Sequence, residues 1–136
     1  MRRRGFILSG LLMATGPFLS RAYGATEPDT PAARQVKRYI EALLGPMNDD
    51  DVYKVIAEIE KTPSLSRDAL PGFRSNIHGL QPYGIVRATA TEAEYVARDP
   101  NLDAWIHFVV TVEPDPPHRI LSLKAKPGDP PPAGSN

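Results

Sequence analysis

One short stretch of the sequence brings together residue types that could bind a ligand or transfer a proton. Asp103, Trp105 and His107 occupy alternate positions. Because alternate residues of a β-strand point to the same face of a sheet, this spacing places a carboxylate, an indole and an imidazole side by side. We predict a ligand-binding site formed by these residues, to which Tyr83 and Tyr95 add phenol donors. We predict no catalytic residue.

Each of these residues also has a purely structural interpretation. His107 can be a surface histidine or one that is hydrogen-bonded within the fold, and Asp103 lies in a segment rich in turn-forming residues. The two tyrosines, Tyr83 and Tyr95, can simply pack at strand positions. If Asp103 instead orients His107, the pair could move protons as a general base and its orienting carboxylate.

Other common catalytic and metal-binding patterns do not occur in the sequence. His78, His107 and His118 do not form HExxH, HxH or another spacing typical of a metal site. The acidic run 49–51 lacks the order of a calcium-binding EF-hand loop, and acids at this position stabilise the first turn of a helix. Ser64 has no G-x-S-x-G context. We therefore predict neither a metal site nor a cofactor.

Positions 105–127 predict a β-hairpin at the centre of a sheet. Both halves alternate in the period of two that is typical of strands. The prolines between them lack an N–H group and cannot continue a strand ladder, so they mark the connection. In the return strand, this alternation points Ile120 away from the apolar face. That apolar face, which is expected in the core, consists of Ile106, Phe108, Val110, Val112, Leu121 and Leu123.

The first half of the chain shows helical periodicity. Thr30 followed by Pro31 predicts the start of one helix, and Asn48 predicts the start of a second. A shorter third helix is predicted over residues 70–78, and strands follow from Tyr83. Helices followed by strands are typical of an α+β fold. We predict two to three N-terminal helices packed on a curved, cone-like, four-stranded antiparallel sheet.

Residues 1–24 have the features of an export signal peptide. Arginines precede an apolar stretch too short to span a bilayer comfortably, and Ala22-Tyr23-Gly24 carries small residues where a signal peptidase would require them. Arg3-Arg4-Gly5-Phe6-Ile7 also resembles the twin-arginine export pattern. An ordinary secretory signal with an arginine-rich start is the alternative. We expect a periplasmic or secreted protein.

Composition narrows the class of partner. Residues 1–24 hold four of the 16 Lys and Arg residues and none of the 16 acidic residues, so the remainder has 12 basic and 16 acidic side chains, a net charge of −4. This balance argues against nucleic-acid binding, which needs a basic surface. The chain has no cysteine, and beyond residues 1–24 it has no apolar run long enough to cross a membrane. Residues 128–136 are predicted to be a disordered tail.

The order of elements and one motif resemble a known superfamily. The motif is Glu113-Pro-Asp-Pro-Pro-His-Arg-Ile120, which follows the strand that begins at Trp105. Together with the N-terminal helices it resembles the nuclear transport factor 2-like (cystatin-like α+β) domain. Similar segments occur in bacteria ahead of secreted serine hydrolases of the β-lactamase-related kind. The resemblance implies that fold for residues 30–127 and an accessory role, because the 136 residues contain no hydrolase.

These observations lead to one hypothesis for the function and two alternatives. We expect an exported, non-enzymatic accessory or ligand-binding module that uses the concave face of its sheet to bind a small apolar ligand or a protein partner. The first alternative is a small cone-fold enzyme, isomerase- or dehydratase-like, in which His107 and Asp103 transfer protons. The second alternative is a homodimerising structural domain that pairs through exposed sheet residues.

Overall fold

The computed structural model describes residues 27–132, in which helices precede strands. The strands form one antiparallel sheet in the order β1-β2-β3-β4. The predicted α+β architecture, helices packed on four antiparallel strands, is confirmed. The elements are α1 (Pro31–Leu44), α2 (Asp49–Ile59), α3 (Leu70–Ile77), β1 (Gln81–Ala88), β2 (Glu92–Asp99), β3 (Ala104–Val112) and β4 (Ile120–Gly128).

The two longer helices begin where the sequence predicts. The Thr30 hydroxyl accepts a hydrogen bond from the Ala33 N–H at 3.1 Å, and Asn48 Oδ1 accepts one from the Asp51 N–H at 2.9 Å. Each of these N-caps satisfies a backbone donor that has no partner within the helix, and is worth about 1 kcal/mol. The third helix ends at Ile77, one residue before its predicted end.

The core lies between the helices and one face of the sheet. Phe108, Val110 and Val112 of β3 are at most 4% exposed, which confirms the predicted apolar face of this strand. Burying a large apolar side chain contributes about 1.5–3 kcal/mol, so the burial of this face of the sheet beneath the helices is the main source of stability. Other buried residues of the same core include Val36, Tyr39 and Ile40 of α1, Val52, Ile56 and Ile59 of α2, Ile85 of β1 and Tyr95 of β2.

The proline-rich connection between β3 and β4 is tied to α1. The Gln35 side-chain amide donates to the carbonyl of His118 at 2.8 Å and to that of Pro117 at 3.3 Å, across 83 and 82 residues of sequence. Gln35 is 7% exposed, so these bonds satisfy a buried polar group. The first helix and the last hairpin therefore hold each other in place.

One detail of the predicted hairpin is wrong, because β4 contains a bulge. Val112 is in register with Ile120 and Thr111 with Ser122, so Leu121 is an extra residue without a partner. An inserted residue reverses the alternation of side chains on either side of it. Ile120 is therefore buried at 2% exposure, whereas Leu121, predicted in the core, is 49% exposed. Leu123 remains on the core side.

The strand β4 is longer than the sequence predicts. β4 continues through Gly128, which pairs with Trp105, so the first residue of the predicted tail belongs to the sheet. The predicted export signal, residues 1–24, and residues 133–136 lie outside the described residues. Within residues 27–132, no helix has the length and apolar character needed to cross a membrane.

The bulge predicts opposite outcomes for two adjacent apolar residues. Ile120→Ala is expected to lower the free energy of unfolding by about 2–5 kcal/mol, because it leaves a cavity in the core. Leu121→Ala is expected to stay within about 0.5 kcal/mol of the wild type, because its side chain is half-exposed. Urea unfolding followed by circular dichroism measures both values. A larger loss for Leu121→Ala than for Ile120→Ala would contradict the bulge.

Candidate functional site

The predicted site residues can be placed by asking which face of the sheet each one occupies. Tyr95 and Phe108 are in register and lie on the face that the helices cover. Val96 and His107 are also in register, and alternation places them on the opposite face. We call this second face the outward face. It is formed by Glu92, Glu94, Val96 and Arg98 of β2, by Trp105, His107, Val109 and Thr111 of β3, and by Ser122, Lys124 and Lys126 of β4.

The structure brings together only some of the predicted ligand-binding residues. Trp105 and His107 share the outward face, and Tyr83 reaches it from β1. Tyr95 does not join them, because it is 5% exposed and packs in the core. Asp103 lies in the β2–β3 turn with a φ of 51°, and its carboxylate forms an ion pair with Arg98. Asp103 therefore orients an arginine, and His107 has a different carboxylate partner.

An aromatic cluster occupies one end of the outward face. The rings of Tyr83 and Trp105 are perpendicular with centroids 5.9 Å apart, and the Arg98 guanidinium lies 5.9 Å from the Trp105 ring centroid. Edge-to-face and cation–π contacts both favour these geometries. We call Tyr83, Arg98 and Trp105 the aromatic corner. Tyr83 remains 41% exposed, and Leu102 of the adjacent turn is 71% exposed, so the corner presents apolar surface to solvent.

His107 lies beside the aromatic corner and has acceptors at both ring nitrogens. Its Nδ1 is 2.5 Å from Glu94 Oε2, and its Nε2 is 2.7 Å from the carbonyl oxygen of Asp129. Arg87 of β1 donates to the other oxygen of Glu94 at 3.2 Å and to Glu92 at 2.8 Å. The side chains of β1, β2 and β3 thus form one charged network across the outward face.

The network shifts the pKa values of its members. Burial alone would lower the pKa of His107, but its hydrogen bonds to the Asp129 carbonyl and the Glu94 carboxylate outweigh burial and raise that pKa. Burial alone would raise the pKa of Glu94, but hydrogen bonds from His107 and Arg87 bring it below its ordinary value. Both shifts favour an imidazolium paired with a carboxylate. A histidine held in this way has no ring nitrogen left to accept a proton from a substrate.

Sequence reasoning missed Glu94 and Arg98, the partners of His107 and Trp105. Glu94 and His107 are 13 residues apart, and only the register of β2 against β3 brings them together. Alternation predicts which residues share a face within one strand, but it does not fix how two strands align. The charged residues of β2 could therefore be recognised as strand residues without a partner being assigned to them.

A second polar cluster, also missed, lies beneath the surface after α2. Glu60 is 3% exposed, and its carboxylate accepts hydrogen bonds from the Ser64 hydroxyl at 2.9 Å and the Ser64 N–H at 3.2 Å. The Ser64 hydroxyl is also 3.4 Å from the Tyr39 hydroxyl. Burial raises the pKa of Glu60, although the bonds from Ser64 oppose it, and burial raises the pKa of Tyr39. This arrangement stabilises the turn after α2.

Two clefts in the described part of the chain lie away from the predicted site. One open cleft of about 540 Å³ is polar and is formed by the acidic start of α2 with Arg67. Another, of about 230 Å³, lies between α1 and the proline-rich connection and includes His118. His107 lines neither cleft. Within residues 27–132, no three acidic or histidine side chains are grouped closely enough to hold a metal ion.

No family model, curated protein or solved structure matches this chain. The contacts described above make the outward face the strongest candidate for a functional surface, because it combines exposed aromatic surface with a fixed charge pattern.

The buried Glu60 predicts a pH-dependent difference between two glutamate variants. Its pKa is raised above the ordinary 4.5, so its favourable contribution is fully present below pH 4.5 and is lost as the pH rises through the folded-state pKa. The glutamine in Glu60→Gln cannot ionise. The free energy of unfolding of this variant, relative to that of the wild type, should therefore increase as the pH rises from 4 to 8. Urea unfolding across this range measures the difference. Glu58→Gln, on the exposed side of α2, is the control, and an equal gain there would contradict the prediction.

Proposed function

We propose that this domain is a non-enzymatic accessory module of an exported protein, and that it binds an acidic partner protein through the outward face of its sheet. The observation that carries the proposal is the aromatic corner, which shares the outward face with two lysines that have no ion-pair partner in the described chain. The aromatic side chains supply apolar contact area, and the lysines supply a preference for negative charge.

The aromatic corner has the composition of a binding hot spot. Tryptophan, tyrosine and arginine are the residues most enriched among those that dominate binding energy at protein interfaces. Trp105 is held by Tyr83 on one side and Arg98 on its face, so little side-chain freedom remains to be lost on binding. The strands beneath them provide a rigid platform, which favours precise recognition.

The β4 side of the outward face is basic, although the domain as a whole is acidic. Lys124 and Lys126 are exposed, are in register with Val109 and His107, and form no ion pair within residues 27–132. The chain after residue 24 carries a net charge of −4, so these lysines form a local basic strip on an acidic domain. An acidic partner surface complements this strip, and complementary charge mainly increases the rate and specificity of association.

The lysines also indicate which part of the sheet the partner contacts. Lysines, a bulge at Leu121 and Pro127 all protect the free edge of β4 from pairing with another strand. The partner is therefore expected on the face of the sheet and not along the β4 edge. A two-fold homodimer through this face would bring two copies of the same basic strip together, which disfavours self-association.

The exported location and the superfamily are part of the same proposal. The sequence of residues 1–24 supports export, and the order of three helices and a four-stranded meander is compatible with the nuclear transport factor 2-like resemblance. An accessory role fits a domain whose candidate site is a surface suited to binding a partner protein. Proton transfer by His107 and Asp103 has less support, because each is bonded to a different partner.

Site-specific photo-crosslinking in exporting cells tests the proposal. A photo-reactive phenylalanine analogue is placed at position 83 in the aromatic corner, or at position 47, where Met47 is 39% exposed on another surface. We expect a specific adduct from position 83 only, and mass spectrometry of the trapped peptide should identify an acidic segment. Native mass spectrometry of the same preparation reports the oligomeric state.

Charge reversal provides the decisive comparison for the same adduct. The double variant Lys124→Glu, Lys126→Glu is expected to reduce the adduct at position 83 at least about tenfold, the effect of 1.4 kcal/mol in binding. Lys54→Glu, on α2, is the matched control and should leave the yield unchanged. An adduct that survives the double variant, appears equally from position 47, or joins two copies of this chain would overturn the proposal.

A further inference from the structure

The last two residues of β4, Pro127 and Gly128, are of types that weaken a strand. Ile106 pairs with Pro127, and Trp105 pairs with Gly128. Pro127 has no N–H group and cannot donate to the ladder, and glycine loses more conformational freedom than other residues when it is ordered. Something besides the backbone ladder must fix this end of the strand, and the neighbouring side chain is that of His107.

The His107 side chain contacts the end of β4 from the outward face. Its ring lies directly against Gly128, where an added Cβ would be 2.5 Å from His107 Cδ2 and 2.7 Å from Nε2. From this position, Nε2 reaches the carbonyl oxygen of Asp129 at 2.7 Å, while Nδ1 reaches Glu94 on β2 at 2.5 Å. The imidazole therefore bridges from β2 across β3 to the residue that follows β4.

This bridge requires a particular protonation state. A carbonyl oxygen and a carboxylate accept hydrogen bonds and cannot donate them, and a neutral imidazole carries one N–H. Only the imidazolium can donate to Glu94 and Asp129 together. When the ring is neutral, its single N–H is retained at Nδ1 by the Glu94 carboxylate, which is a stronger acceptor than a carbonyl, so the Nε2 lone pair faces the Asp129 carbonyl and that contact becomes repulsive.

We propose that His107 is a pH-sensitive latch that holds the end of β4 on the sheet when it is protonated and releases it when it is neutral. The latch is independent of any partner, because every group in it belongs to this chain. Gly128 is needed for the latch to close, since any larger residue would displace the ring.

The charged groups around the ring come from each neighbouring strand. Glu94 of β2 favours the imidazolium directly, and Arg87 of β1 partly offsets it by bonding to the same carboxylate. Lys126 of β4, in register with His107, disfavours a second positive charge. Asp129 contributes both the accepting carbonyl and a carboxylate that favours the charged ring.

The direction of the pH effect follows from the raised pKa of His107. The latch contributes fully below the ordinary pKa of 6.5 and is lost as the pH rises through the folded-state pKa. Each unit by which the pKa of His107 is higher with the strand end held than with it released corresponds to about a tenfold increase in opening of the strand end at high pH. The pH dependence of the His107 ring and that of the strand-end opening, measured independently on the whole protein, must therefore agree.

The test uses nuclear magnetic resonance of the wild-type protein between pH 5 and pH 9. The His107 ring signals give its pKa, and amide exchange of Lys126, Gly128 and Asp129, corrected for intrinsic rates, gives the opening equilibrium. We expect a pKa above 6.5 and a matching increase in opening at high pH. Trp105, the single tryptophan, pairs with Gly128 and should report the same transition by fluorescence.

Variants separate the latch from general loosening of the sheet. His107→Asn should open the strand end at every pH, and Glu94→Gln should lower the pKa of His107 and shift the transition to lower pH. His78→Asn, at the exposed end of α3, is the control and should leave the profile unchanged. A wild-type His107 pKa at or below 6.5, or a pH-dependent opening that persists in His107→Asn, would overturn the proposal.

Discussion

The structure depends on one constraint, the burial of a single face of the sheet beneath α1 and α2. Because strand side chains alternate, fixing Phe108 and Val110 against the helices fixes where every other residue of β3 points. Trp105 and His107 thereby face away from the helices without any local signal of their own. The position of the candidate site is a consequence of core packing, and the chemistry of the site acts only after that packing is complete.

The sequence was sufficient to predict elements but not their alignment. The helix starts at Thr30 and Asn48 could be predicted because capping is a local interaction. The strand β3 could be predicted because its alternation is uninterrupted. The bulge at Leu121 and the meeting of Glu94 with His107 could not, because both depend on how neighbouring strands align. Tyr95 illustrates the same limit, since its type suggested a ligand donor and its register placed it in the core.

Two titratable groups with raised pKa values show how differently the fold treats charge. Around Glu60, burial dominates, so the environment favours the neutral acid. Around His107, two acceptors outweigh burial, so the environment favours the cation. Glu60 favours the folded state most at low pH, where it is neutral. His107 also contributes most to stability at low pH, where it is charged. The charge network of the outward face is therefore strongest under mildly acidic conditions, where the imidazolium completes it.

The bond between Gln35 and the carbonyl of His118 has a consequence for how the chain acquires its structure. The partners of this residue of α1 are synthesised 82 and 83 residues after it. Contacts between residues so distant in sequence slow folding, because the intervening loop must be closed before they form. A nascent chain that has not yet emerged to Ile120 lacks part of its core, so the domain is expected to acquire its stable structure only after β4 has been synthesised.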